Sequence, residues 1–221
     1  MAQPSALVVW GGWKGHEPEQ VADIFAECLR EEGFDVEISD TLDAFLDVEK
    51  LKKLDLIVPI WTMGEIKKKQ RAPVLAAVQS GVGLAGCHGG MCDAFRQDVE
   101  WQFMTGGQWV AHPGNQSVTY GVRITDREHV ITEGLEDFEV TSEQYYVHVD
   151  PANHVLAVTR FPTVAGPHAA NGPVDVPVSW TRMWGKGRVF YSSLGHVAAT
   201  AREESPLRLM RRGMLWAARK L

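Results

Sequence analysis

The sequence predicts an α/β domain with a mainly parallel sheet covered by helices on both faces. Three observations lead there. Short, nearly unbroken apolar runs recur through the first half of the chain, amphipathic helical segments separate them, and glycine-rich polar segments punctuate their ends. Strands buried on both faces read as continuous apolar runs, and their alternation with helices is the pattern of parallel crossovers.

The elements follow in order. Ala6-Leu7-Val8-Val9-Trp10 is a short apolar strand, and Gly11 to His16 is the loop after it. A helix begins near Pro18, with Val21, Ile24, Phe25, Cys28 and Leu29 at helical spacing, and Gly33 closes it. Cys28 falls on the apolar face and reads as core. Residues 34–39 form a second strand and residues 54–61 a third, whose Pro59 suits a strand end. Residues 72–80 form a helix terminated near Gly81, and the next apolar run stops abruptly at Cys87-His88-Gly89-Gly90.

The second half changes character. Residues 118–124, 138–149, 154–159, 176–181 and 188–192 read as strands, mostly antiparallel by their spacing. Residues 161–177, rich in Pro, Gly, Ala and Asn, read as a long surface loop. A last helix spans about 206–220, with Leu207, Met210, Met214, Leu215 and Ala218 facing the core. No repeat or linker interrupts the chain, so residues 1–221 are expected to form a single domain.

Composition narrows the function classes. The net charge is −6, and no Lys/Arg stripe interleaves with aromatic residues, which argues against nucleic acid as a partner. Lys67-Lys68-Lys69 with Arg71 is the only basic run and reads as a solvated helix start or loop. No run approaches the ~18 apolar residues of a membrane span. Three cysteines without CxxC spacing, and no targeting segment before the first strand, point to a reducing cytoplasmic setting. The Trp-rich, apolar character is compatible with a homo-oligomer.

In open α/β sheets ligands bind outside the carboxyl ends of the strands. The loops predicted there are Gly11 to Glu17, Trp61 to Glu65 and Cys87 to Arg96. Two of them carry a glycine-flanked histidine, His16 and His88, while Trp13, Lys14 and Trp61 lie beside them. A polar cleft with aromatic walls is the expectation. At 86–90 two registers are open. A turn centred on Cys87 makes a nucleophile elbow, in which a buried, inert thiol is the alternative; a turn centred on His88 makes the imidazole the site residue, and is favoured.

Several runs together resemble the ThuA-like (trehalose utilisation) family of the class I glutamine amidotransferase-like superfamily. They are residues 11–18 (GGWKGHEP), 88–96 (HGGMCDAFR), 105–113 (TGGQWVAHP), 131–135 (ITEGL), 142–150 (SEQYYVHVD) and 180–189 (WTRMWGKGRV), with Gly195-His196. The resemblance spans nearly the whole chain. It implies a flavodoxin-like three-layer sandwich, extended by extra strands from the second half, and a role in carbohydrate catabolism. The implied substrate is a trehalose- or sucrose-like disaccharide or its 3-oxo derivative.

The polar set within these runs is His16, His88, His112, Glu143, Tyr145, His148 and His196. Strand alternation puts Glu143 and Tyr145 on one face and His148 on the other, so His148 is discounted. His16, His88, Glu143, Tyr145, His196 and, in the cysteine register, Cys87 are the catalytic candidates. Trp13, Lys14, Trp61, Gly89, Gly90 and His112 are the substrate-binding candidates.

Two mechanisms suit the set. One is acid/base work on a sugar hydroxyl or on a carbon next to a ketone. The other is Zn²⁺ or a similar divalent metal held by three of these groups, with His88, His112 and His196 the expected ligands. A sugar-processing isomerase, lyase or hydrolase is the leading class. A cysteine-dependent amidotransferase or amidase using Cys87 and a non-catalytic sugar-binding accessory protein are the alternatives. Trp109 reads equally as cleft wall and as packing, and Asp93 with Arg96 as a local ion pair.

Overall fold

The structure is a computed structural model and describes residues 3–221. In chain order it contains β1 (Ser5–Gly12), α1 (Pro18–Glu31), β2 (Asp35–Ser39), α2 (Val48–Leu51), β3 (Leu56–Thr62), α3 (Lys68–Ser80), β4 (Gly83–Cys87) and α4 (Gly89–Cys92). Then come α5 (Val99–Thr105), β5 (Gly107–Ala111), β6 (Val118–Ile124), β7 (Phe138–Ser142), β8 (Tyr146–Val149), β9 (His154–Phe161), β10 (Val174–Trp184), β11 (Gly187–Ser192), α6 (Ala198–Ala201) and α7 (Glu204–Ala217).

Nine strands make one sheet in the order β2-β1-β3-β4-β11-β10-β9-β6-β7. From β2 to β11 every pairing is parallel, and from β11 to β7 every pairing is antiparallel. The extra strands therefore prolong the parallel sheet within the same body.

Alternation along the strands divides the apolar residues between two cores. In β1, Val8 points to one face with Phe25, Leu29 and Met214 of α1 and α7. Leu7 and Val9 point to the other, with Val74 and Val78 of α3 and Trp101 of α5. The result is a three-layer α/β sandwich. Each fully buried Leu, Val or Phe contributes about 1.5–3 kcal/mol relative to exposure, and both faces are filled with them. Among the described residues no helix is long and apolar enough to cross a membrane.

Four departures from expectation are visible, the first two of them at the site. The predicted strand over 138–149 is two strands, β7 in the large sheet and β8 in a separate two-stranded sheet with β5. Ser142, Glu143, Gln144 and Tyr145 are all buried, so in-out alternation breaks here. Gln144 holds the crossing segment by donating from Nε2 to Thr159 Oγ1 (2.8 Å) and to the Arg160 carbonyl (3.0 Å). β5 is an additional strand, within a run read as part of the family resemblance. The loop expected over 161–177 is shorter, because β9 runs to Phe161 and β10 begins at Val174. Arg71, in the basic run, is not solvated, since it pairs with Asp98 and Glu100.

Candidate functional site

Strand order reverses around β1, which lies between β2 and β3. At such a switch point the connections leave in opposite directions and open a crevice at the carboxyl ends of the strands. Four adjacent parallel strands end there, β1, β3, β4 and β11. Each is followed by, or ends in, a polar residue of one cluster: His16, Thr62, His88 and the Ser193–His196 segment.

The β4 connection is the sharpest. His88 has φ 47° and ψ −134°, a conformation that L residues seldom adopt and that is retained where surrounding contacts fix it. Those contacts are visible: the His88 N–H donates to the Ser192 carbonyl (2.6 Å), and the Tyr191 hydroxyl donates to the His88 carbonyl (3.0 Å). The two glycines that follow are required for space. A Cβ on Gly89 would come within 2.7 Å of Thr62 Oγ1 and 2.9 Å of the His16 ring, and one on Gly90 within 2.8 Å of the Ile60 backbone. The strained centre of the elbow is thus His88, and Cys87 is the last strand residue before it.

Three imidazoles converge around one carboxylate. The rings of His16, His88 and His196 lie 4.7, 4.9 and 5.2 Å apart, centroid to centroid. Glu143 Oε2 sits 3.1 Å from His88 Nε2, 3.2 Å from His196 Nδ1 and 3.7 Å from His16 Nε2. All four residues are buried, and one ligating atom from each falls within 4.8 Å of the others.

The fixed hydrogen bonds decide what fits between them. His88 Nδ1 lies 2.8 Å from the Ser193 carbonyl, which can only accept, so Nδ1 carries the proton. A neutral His88 then turns the bare lone pair of Nε2 toward Glu143 Oε2. Two acceptors facing each other at 3.1 Å need a cation or a proton between them, and His196 Nδ1, 3.2 Å from each, faces the same point. Burial opposes the proton, pushing the His88 pKa down to about 4 despite the hydrogen bond to Glu143. Burial also works against the Glu143 charge. The imidazoles of His16, His196 and His88 gathered around it outweigh that effect and hold the carboxyl well below the usual range. An anionic carboxylate beside three imidazoles is a donor set for a divalent cation. A metal-bound histidine generally donates its other N–H to a protein oxygen, as His88 does to Ser193. His16 Nδ1 has the matching partner in Thr62 Oγ1, at 2.8 Å.

Several further groups position the four. Tyr145 stacks on His88 at 3.9 Å, and its hydroxyl is held protonated by burial, with the Glu143 charge adding to the effect. The Tyr120 hydroxyl donates to the Glu143 carbonyl (3.1 Å). Glu17 Oε2 accepts from the Ala198 N–H (3.0 Å), tying the β1 loop to the segment carrying His196.

The ThuA family profile, described as trehalose utilisation, matches residues 5–217. The chain belongs to the ThuA family. Solved ThuA-like proteins have the same fold. One from Parabacteroides merdae is 18% identical, with 98% of this chain and 90% of that chain covered at a TM-score of 0.75. One from Bacteroides uniformis is 17% identical, covering 98% and 93% at 0.75. A β-galactosidase from Rahnella sp. R3 contains a similar unit, with all of this chain and 31% of that one covered at 0.63 and 15% identity. No curated protein matches the chain.

The runs that carry the ThuA resemblance fall unevenly around the site. His16, His88, Glu143, Tyr145 and His196 come together. Of the expected ligands His88, His112 and His196, two are in the cluster, while His16 and Glu143 complete it. His112 is set on the far side of the carboxylate, its Nδ1 3.7 Å from Glu143 Oε1. Trp13 packs edge-on against His16 at 4.7 Å and is about half exposed, with Lys14 beside it in the same loop. Trp61 is turned away: Thr62 faces the cluster, so its strand neighbour faces the other side, where its ring covers Gly11 and Gly64. His148 is exposed. Cys87 is buried, and its thiol is pushed up to about 12 by that burial, unlike the thiolate an elbow nucleophile requires. Thr62, Ser193, Tyr120 and Glu17 are the positioning residues that sequence reasoning missed.

Proposed function

We propose that this ThuA protein is a sugar-processing enzyme that acts on a disaccharide or its 3-oxo derivative at a divalent-metal centre. His16, His88, Glu143 and His196 are the ligands. The observation that carries the reading is the His88–Glu143 contact: a lone pair and a carboxylate oxygen face one another at 3.1 Å, with the other imidazole nitrogen committed to a backbone carbonyl.

A divalent cation supplies Lewis acidity, polarising a substrate carbonyl or hydroxyl. The residues of the chain do the rest. Glu143, held ionised, is better suited to hold charge than to accept a proton near neutrality, since a general base works best with a pKa near the working pH. His112 is the imidazole on the open side of the cluster, its side chain 29% exposed, and it is placed to exchange a proton between substrate and solvent. Tyr145, kept protonated and stacked on His88, fixes the orientation of that ring.

Elemental analysis of protein purified without chelators, alongside a His88→Ala variant, tests the assignment. A stoichiometric divalent metal in the parent, lost in the variant, is the expected result. Metal-free parent protein that remains active on a 3-oxo disaccharide would replace the metal with acid/base chemistry by the same residues.

A further inference from the structure

Glu143 presents two oxygens to two different environments. Oε2 belongs to the three imidazoles, while Oε1 faces the β5 side of the site, where His112 Nδ1 lies 3.7 Å away, too far for a hydrogen bond. Among the described residues His112 Nδ1 has no hydrogen-bond partner, and neither does Trp109 Nε1, although both atoms are buried. The two rings lie together at 5.4 Å, and each lies 6.2 Å from Tyr145, which stacks on His88.

Their adjacency has a backbone cause. Residues three apart on a regular strand point to opposite faces. The β5–β8 register shifts between Trp109 and Ala111: Trp109 pairs with Val147 and Ala111 with Tyr146, so one extra residue bulges out. The bulge reduces the effective spacing by one and brings Trp109 and His112 to the same side. Bulges that re-aim side chains recur beside active sites.

We propose that Glu143 Oε1, His112 Nδ1 and Trp109 Nε1 form a subsite for one hydroxyl group of an uncharged sugar, next to the imidazole cluster. The proposal rests on the sugar reading given above and names the group that is recognised. An indole N–H can only donate, an ionised carboxylate oxygen can only accept, and a hydroxyl does both. A ketone oxygen would satisfy the donors and leave Oε1 unpaired. An ionised carboxylate or phosphate would offer no proton to Oε1 and would set a further negative charge against it. The nearest guanidinium, Arg96, lies over the Trp109 ring at 4.4 Å, but its Nε and one terminal nitrogen are bound to the two Asp93 oxygens. Its charge is already matched.

The test uses the full chain loaded with zinc, with trehalose and its monodeoxy derivatives as probes, read by calorimetry. Trp109→Phe keeps the ring and removes the N–H, and His112→Ala provides a second, independent variant. Trehalose binding is expected to weaken about tenfold in each, the scale of one lost hydrogen bond, with zinc content unchanged. One monodeoxy trehalose should bind the parent about tenfold more weakly than trehalose and bind Trp109→Phe no more weakly than trehalose does, as coupled partners require. Equal trehalose affinity in parent and both variants overturns the subsite and leaves the sugar reading standing. Tighter binding of a glucuronic acid analogue than of trehalose also overturns it. A parent that binds none of these sugars overturns the sugar reading and the subsite with it.

Discussion

The parallel and antiparallel halves of the sheet have divided room and chemistry between them. A hollow of about 490 Å³ lies on the antiparallel half against Arg123, Arg160 and Asp175. Both arginines spend their charge on the one aspartate, at 2.7 and 2.8 Å, so the hollow presents a paired and solvated set of charges. At the carboxyl ends of the parallel half, the hollow lined by His16, Thr62, His88 and Gly195 holds only about 10 Å³, yet three imidazoles meet there around a carboxylate in a chemically unfinished arrangement. Cavity size follows the shape of an uncovered sheet face, whereas reactivity follows unresolved lone pairs and charge. The two halves meet at the site. The segment between β7 and β8 leaves the antiparallel half and delivers Glu143 to the imidazoles of the other.

If that delivery is what completes the site, removing the Glu143 charge should have the largest effect in the molecule. Glu143→Gln keeps shape and hydrogen-bonding capacity but loses the anion. Zinc affinity, read by competition with a chromophoric chelator, should fall by more than about 100-fold, beyond the 10–100-fold typical of a residue that only orients a ligand. Arg160→Ala in the antiparallel hollow should leave zinc affinity unchanged and alter stability by less than about 0.5 kcal/mol, as exposed ion pairs generally do. Equal zinc affinity in Glu143→Gln and the parent would break the comparison. A smaller effect is expected at Thr62, which touches His16 only through Nδ1. Thr62→Val keeps the branched shape and removes the hydroxyl, and zinc affinity should drop about tenfold with little change in melting temperature. A loss of stability without a change in affinity would make Thr62 a packing residue.

The same division explains what could be read from the sequence. The parallel half was legible because its rules are local: apolar runs, helical spacing and glycine-flanked histidines at strand ends give the layers and place His16 and His88 in one cleft. The ThuA resemblance added Glu143, Tyr145 and His196. Less visible was anything set by a departure from regularity. Strand alternation over residues 138–149 happens to group Glu143 with Tyr145. The actual cause is a break after Ser142, where buried Gln144 exchanges the ladder for side-chain hydrogen bonds. Trp109 and His112 share a side only because of a bulge. Thr62 and Ser193 matter through which ring nitrogen they face, and that is fixed only once four strand ends have met.

The smallest expected effect concerns neighbours in the chain. Cys87 and His88 are adjacent, and both are buried at the elbow, yet the turn gives His88 the strained position and leaves the thiol in the strand. With its pKa pushed up to about 12, only on the order of 10⁻⁴ of the Cys87 thiol is ionised at pH 8. The folded protein should therefore resist iodoacetamide at pH 8 over the time in which the unfolded chain is fully alkylated at Cys87, measured by peptide mass. Because the shift is upward, reactivity can appear only as pH rises toward 12 or as the fold opens. Cys87→Ala should leave zinc content intact and turnover within about twofold, at a modest cost in stability for the lost sulfur contacts. Rapid alkylation of the folded protein that abolishes turnover without releasing metal would restore the cysteine register of the elbow, and would move the chemistry one residue back along β4.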